Sequence, residues 1–243
     1  MLSNSIATNN RMWDDVVGEL SRSHHVLRYD TRGHGRSGAP AGAYSLDRLG
    51  RDVLELLDAL DVSRVDFCGL SLGGMVGQWL GVYAPERLHR LILSNTAPYL
   101  GPAIQWDDLI KDLAANGDMA AMADMFIGNW FPAVFVDTRH EIVNVFRQMI
   151  LSTKPQGLAG CFAAVRDMDL RRVDALIRSS TLVLGGLHDA VTLPEHSEQI
   201  ANIIHNAALT LMPGVHLLNV ELPRAFVDAV ADFLSEHPRS ALS

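Results

Sequence analysis

Three residues in this chain have types and surroundings suited to acyl transfer: Ser71, Asp189 and His216. Ser71 stands in Gly69-Leu70-Ser71-Leu72-Gly73, a G-x-S-x-G spacing. The bare pattern is common; its weight comes from an apolar strand pattern before it and a helical one after it. A sharp strand-to-helix turn needs small residues beside the serine and lifts the hydroxyl clear of the backbone. It also aims the next backbone N–H, that of Leu72, to where an oxyanion would form. A serine hydroxyl is a weak nucleophile alone and needs a base oriented by a third group. Where such an elbow opens the series, the acid follows and then the histidine. Asp189, in Gly185-Gly186-Leu187-His188-Asp189, and His216, in Pro213-Gly214-Val215-His216, keep that order. His188 competes as the base, but adjacency to Asp189 gives it poor pairing geometry, and it reads as structural.

Asp30-Thr31-Arg32-Gly33-His34-Gly35-Arg36-Ser37 also concentrates polar groups. Asp30 and His34 invite a metal reading, yet a third and fourth ligand are lacking nearby. A loop locked by its own hydrogen bonds is the expectation, with no metal and no organic cofactor.

These residues need elements to position them. Apolar positions predict a helix over 12–22, a strand over 25–29, a helix over 46–60 capped by Ser45 and a strand over 65–68. A helix over 72–84 ends at Pro85. Strands at 91–93, 181–184 and 209–211 follow, with helices at 194–204 and 222–235. Strands alternating with helices imply a mostly parallel sheet covered on both faces. Residues 98–178 break the rhythm with helical patterns alone, so the chain divides into a first core part (1–97), a helical lid insertion (98–178) and a second core part (179–243). Met119, Met122, Met125, Met149, Met168, Trp106 and Trp130 lie in the insertion, as lid core or as pocket lining. The tail from Pro238 to Ser243 is expected to fray.

The chain has 243 residues, 48% of them hydrophobic, and a formal net charge of -8; its Lys and Arg residues form no cluster beyond the pair Arg171-Arg172, which argues against nucleic-acid binding. Two cysteines, Cys68 and Cys161, are too few for a disulfide framework. Without a signal-peptide pattern or a membrane-length apolar run, a cytoplasmic protein is expected. The expected partner is a small-molecule lactone or ester, with no nucleic acid and no membrane; a homo-oligomer is left open.

On these motifs the sequence resembles the 3-oxoadipate enol-lactonases, a branch of the α/β-hydrolases. The segments that carry the resemblance are Leu2-Ser3-Asn4-Ser5, Leu27 to Gly35, Leu49-Gly50-Arg51-Asp52-Val53, Phe67 to Leu80, and Arg166-Asp167-Met168-Asp169-Leu170-Arg171. The resemblance implies an α/β-hydrolase fold, a Ser71–Asp189–His216 triad, and an oxyanion hole from the N–H groups of Ile6 and Leu72. It implies opening of the ring of 3-oxoadipate enol-lactone to 3-oxoadipate in aromatic-compound breakdown. A broad carboxylesterase, another lactonase, or an inactive or ligand-binding protein on the same scaffold are the alternatives. The substrate so implied carries a carboxylate, for which Arg139, Arg147 and Arg166 are candidate partners, with Trp130 as a lining residue. The chain departs from the family in Pro132-Ala133-Val134-Phe135-Val136, where members are more basic. It also lacks two further strands, and the body of a third, ahead of Leu2. The expectation is that strand 25–29 then lacks a partner, and that the chain made alone is marginally folded while an upstream-extended one is stable.

Overall fold

The computed structural model describes residues 1–235; the tail expected to fray lies outside them. Five parallel strands form one sheet in the order β1-β2-β3-β4-β5: β1 (Leu2–Ser3), β2 (Val65–Leu70), β3 (Leu88–Ser94), β4 (Ser180–Gly186) and β5 (Ala207–Met212). The middle strands are near-continuous apolar runs, as a sheet buried on both faces demands. Phe67, Leu70, Leu91, Leu93, Val183 and Leu184 are wholly buried.

Helices connect and cover the strands: α1 (Asp14–Leu20), α2 (Leu46–Ala59) and α3 (Leu72–Tyr83) before β3, and α9 (Pro194–Ile203), α10 (Leu218–Glu221) and α11 (Pro223–Ser235) after β4. The hydroxyl of Ser45 accepts from the Arg48 N–H and starts α2, whose stripe of Leu46, Leu49, Val53 and Leu57 is buried. Helix α3 packs on β2 and β3, α9 on β4 and β5, and α1 on α11. Between β3 and β4 run α4 (Ala103–Asn116), α5 (Met119–Trp130), α6 (Ala133–Thr138), α7 (His140–Ser152) and α8 (Pro155–Asp167). Helix α8 is fastened to the core backbone to backbone. The Tyr44 N–H donates to the Gly160 carbonyl at 3.0 Å. Gly33 and Gly157 touch so closely that a Cβ on either would strike the other's main chain.

One predicted element is corrected. Residues 25–29 do not form a strand: Arg28 makes a single bridge to Leu2, supported by the Leu2 N–H donating to the Leu27 carbonyl at 2.8 Å. A ladder extends only as far as its partner, and here the partner is the two-residue β1. The helix expected over 12–22 opens as a 3₁₀ turn, Asn10–Trp13, before α1. Among the described residues no helix is long and apolar enough to cross a membrane.

Candidate active site

Parallel strands all end on the same side, and in open α/β sheets that carboxyl edge is where ligands are received. The loops after β1, β2, β3, β4 and β5 bring Ile6, Ser71, Asn95, Asp189 and His216 there in turn.

Ser71 has φ 57° and ψ -117°, a strained conformation for a residue with a side chain, between the end of β2 and the start of α3. The flanking glycines allow it. A Cβ on Gly69 would strike the Gly73 carbonyl, and one on Gly73 would strike the Ser3 backbone. The elbow is held from both sides, since the Ser71 N–H donates to the Ser94 carbonyl at 3.0 Å and the Gly73 N–H to the Asn4 carbonyl at 3.0 Å. Thr96 Oγ1 donates to the Ser71 carbonyl at 2.8 Å.

His216 is fully buried, and its Nδ1 lies 2.8 Å from Asp189 Oδ2. That contact fixes the ring and leaves Nε2 without a partner among the described residues. Ser71 and His216 line one cavity of about 250 Å3, although their side chains are not hydrogen-bonded to each other; such contacts commonly tighten only when substrate is bound. Asp189 is buried as well, and burial alone would raise its pKa. The facing His216 and donated hydrogen bonds outweigh that and hold it at about 2. The donors are Asn95 Nδ2 (2.9 Å), Thr192 Oγ1 (2.7 Å), and the N–H groups of Val191 (2.8 Å) and Thr192 (3.1 Å). Asn95 and Thr192 are silent in the sequence, because an Asn or Thr in a loop carries no signal of its own. His188 is exposed, and it takes part in the loop through its backbone N–H, which donates to the Gly214 carbonyl at 3.0 Å.

Among the described residues, the backbone N–H groups of Ile6 and Leu72 find no acceptor within the chain, and both residues line the cavity. Two unpaired N–H donors at one cavity are an arrangement that could donate to a developing negative oxygen. The rest of the wall is apolar, with Met75, Trp106, Phe126, Trp130 and Phe162 prominent; the amides of Gln105 and Asn129 are the uncharged polar groups added by the lid.

None of the three candidate arginines lines this cavity. Arg166 is bound to Asp107 at 2.8 Å and to Asp167 at 2.7 Å, and Arg147 to Asp124 at 2.6 Å. Arg139 lies over the Phe135 ring, 5.7 Å from its centroid. Trp130 does line it. In the Asp30 loop, the carboxylate accepts from the N–H groups of Asn10 (2.8 Å) and Arg36 (2.9 Å), so its oxygens are occupied within the chain. A Cβ on Gly35, at φ 51°, would strike that carboxylate.

A family model described as the alpha/beta hydrolase fold matches residues 4–127. The chain is 35% identical over 230 residues to 3-oxoadipate enol-lactonase 2 of Acinetobacter baylyi, covering 95% of this chain and 86% of that one. Among solved structures, a hydrolase from Pseudomonas aeruginosa PA01 superposes with a TM-score of 0.95 at 53% identity, over 97% of this chain and 89% of that one. The enol-lactonase from Burkholderia xenovorans LB400 superposes with a TM-score of 0.94 at 36% identity, over 97% and 90%. The elbow, the parallel sheet and these likenesses converge: the chain belongs to the α/β-hydrolase family.

Proposed function

We propose that this protein is a serine hydrolase that opens a lactone ring through an acyl-enzyme on Ser71, with 3-oxoadipate enol-lactone as substrate and 3-oxoadipate as product in aromatic-compound breakdown. The observation that carries the reading is the strained elbow serine sharing a cavity with His216, whose far nitrogen is engaged by Asp189. Likeness to enol-lactonases over nearly the whole chain supports the substrate.

Ser71 Oγ attacks the lactone carbonyl as its proton passes to His216 Nε2. Asp189, already ionised, stabilises the imidazolium without taking the proton. The Ile6 and Leu72 N–H groups receive the oxyanion. Collapse breaks the bond to the ring oxygen, which leaves as an enolate and takes the proton back from His216 to give an enol, whose tautomerisation yields the 3-oxo group. Water, deprotonated by the same nitrogen, then releases the acid and restores Ser71. The test is formation of 3-oxoadipate from the enol-lactone by the wild type and by Ser71→Ala. Product from the wild type alone supports the reading; none from either refutes the substrate.

A second reading, a neutral lactone or carboxylic ester, is favoured by one specific observation: among the described residues no arginine or lysine lines the cavity, and the wall is largely apolar. A carboxylate placed there would lose hydration without gaining a cation. Comparing kcat/KM for the enol-lactone with that for its methyl ester decides between the two readings.

A further inference from the structure

We infer that His34 is a positioning residue for the oxyanion hole: through its Nε2 it holds the Ile6–Ala7 turn so that the Ile6 N–H faces the carbonyl under attack. The inference rests on the acyl-enzyme reading above.

Four observations carry it. The Ala7 N–H donates to His34 Nε2 at 2.8 Å, and both groups are buried. Ala7 has φ 58°, a left-handed conformation that a residue with a Cβ adopts only where its surroundings enforce it. The neighbouring Ile6 N–H has no acceptor among the described residues, and Ile6 lines the cavity. Finally, the acceptor is itself fixed. Nε2 must carry the lone pair because Ala7 donates to it, so Nδ1 carries the hydrogen and donates to the Arg32 carbonyl at 3.1 Å. Burial drives the His34 pKa down to about 4, so the ring is neutral and the lone pair present through the neutral range.

The loop that presents His34 is built to hold it still. The His34 N–H donates to the Thr31 carbonyl at 2.9 Å, Ser37 Oγ to the Asp30 carbonyl at 2.6 Å, and Asp30 ties the loop to Asn10. Without the bond to His34, the Ala7 N–H is a buried donor with no acceptor, and the turn relaxes toward a conformation that removes the Ile6 N–H from the oxyanion. A misplacement of about 1 Å at a reacting centre is worth as much as a hundredfold in rate.

The test compares His34→Phe, which deletes the acceptor, with His34→Gln, which retains a side-chain carbonyl. The readouts are kcat, KM, the fluorophosphonate labelling rate at Ser71, and affinity for a trifluoromethyl ketone, which forms an oxyanion when bound. The expected result for His34→Phe is a kcat lower by about ten- to a hundredfold. Labelling and ketone affinity should fall in parallel, with KM little changed and partial recovery in His34→Gln. If kcat and ketone affinity in a folded His34→Phe match the wild type, the inference is overturned. If His34→Phe does not fold, His34→Gln decides: a partial, parallel fall in kcat and ketone affinity with KM unchanged supports the inference, and ketone affinity at the wild-type value overturns it. Failure of the wild type to label at all would instead refute the acyl-enzyme reading.

Discussion

Asn95 Nδ2 lies 2.9 Å from Asp189 Oδ2, and the same amide donates to the carbonyl of Val215 at 2.9 Å. One side chain at the end of β3 therefore ties the acid after β4 to the residue preceding His216 after β5. The position follows from register: Ser94 pairs with Leu184, and the Asn95 N–H continues the ladder to the Leu184 carbonyl at 2.8 Å.

Removing those donors should loosen the acid. In an Asn95→Ala, Thr192→Val double variant, Asp189 loses two hydrogen bonds and its pKa rises from about 2. A carboxylate held below its ordinary value stabilises the fold above about pH 4 and loses that contribution as pH falls toward the folded value. The acid limbs of both the stability curve and the kcat profile should therefore move to higher pH, with kcat at neutral pH lower by about tenfold or more. Superimposable profiles would show that these bonds do not set the acid's state.

Ser71→Ala should abolish turnover while leaving the melt unchanged. Loss of such a nucleophile costs on the order of a million-fold in kcat. A purified variant that retained more than about a percent of the wild-type rate could not have lost its nucleophile.

His216→Ala should match that loss, since nucleophile and base act as one unit. His188→Ala, at an exposed position that contributes its backbone to the loop, should cost little. The two kcat values, measured side by side, separate the histidines, and the reverse ranking would sink the assignment.

Arg139→Met, Arg147→Met and Arg166→Met should each leave KM for a carboxylate-bearing lactone within about a factor of two, because their guanidinium groups lie off the cavity. Arg166→Met should lower the melting temperature slightly, as it frees Asp107 and Asp167 together. A selective rise in KM for the anionic substrate in any one of them would place that arginine at the site in the bound state.

Asp174 is wholly buried, neither carboxyl oxygen has a hydrogen-bond partner among the described residues, and burial, with Asp169 adding to it, raises its pKa to about 7. The folded state then holds a proton that the unfolded chain has released above about pH 4. Its contribution is intact below pH 4 and is lost as pH rises toward 7. Asp174→Asn should flatten that fall, gaining stability on the order of a few kcal/mol near pH 8 and little near pH 4. Denaturant melts at the two pH values measure it.

Much of this was legible in the sequence because it depends on local pattern. The stripe of α2, the apolar runs of β2, β3 and β4, and the glycines around Ser71 each declare themselves within a few residues. What was not legible depends on partners. Residues 25–29 have a strand composition, yet pairing is decided by a two-residue neighbour. Charge at Arg147 and Arg166 is plain, but Asp124 and Asp107 lie far along the chain and take it up. His34 showed its polarity but not its target, because Ala7 comes to it only when the loops after β1 and Arg28 meet.

The backbone contact between Gly33 and Gly157 bears on how substrate gets in. A helix clamped main chain to main chain cannot swing outward as a flap without tearing that clamp, so α8 serves as the fixed jamb of the cavity. Helix α4 packs on α8 and is tied to it through Asp107 and Arg166, so the leaf is α5, where Asn129 sits exposed at the cavity. A methyl group on Gly157 would strike the Gly33 carbonyl, and one on Gly33 would meet the Gly157 main chain at a φ of 84° that strains any residue with a side chain, so either substitution should loosen the jamb.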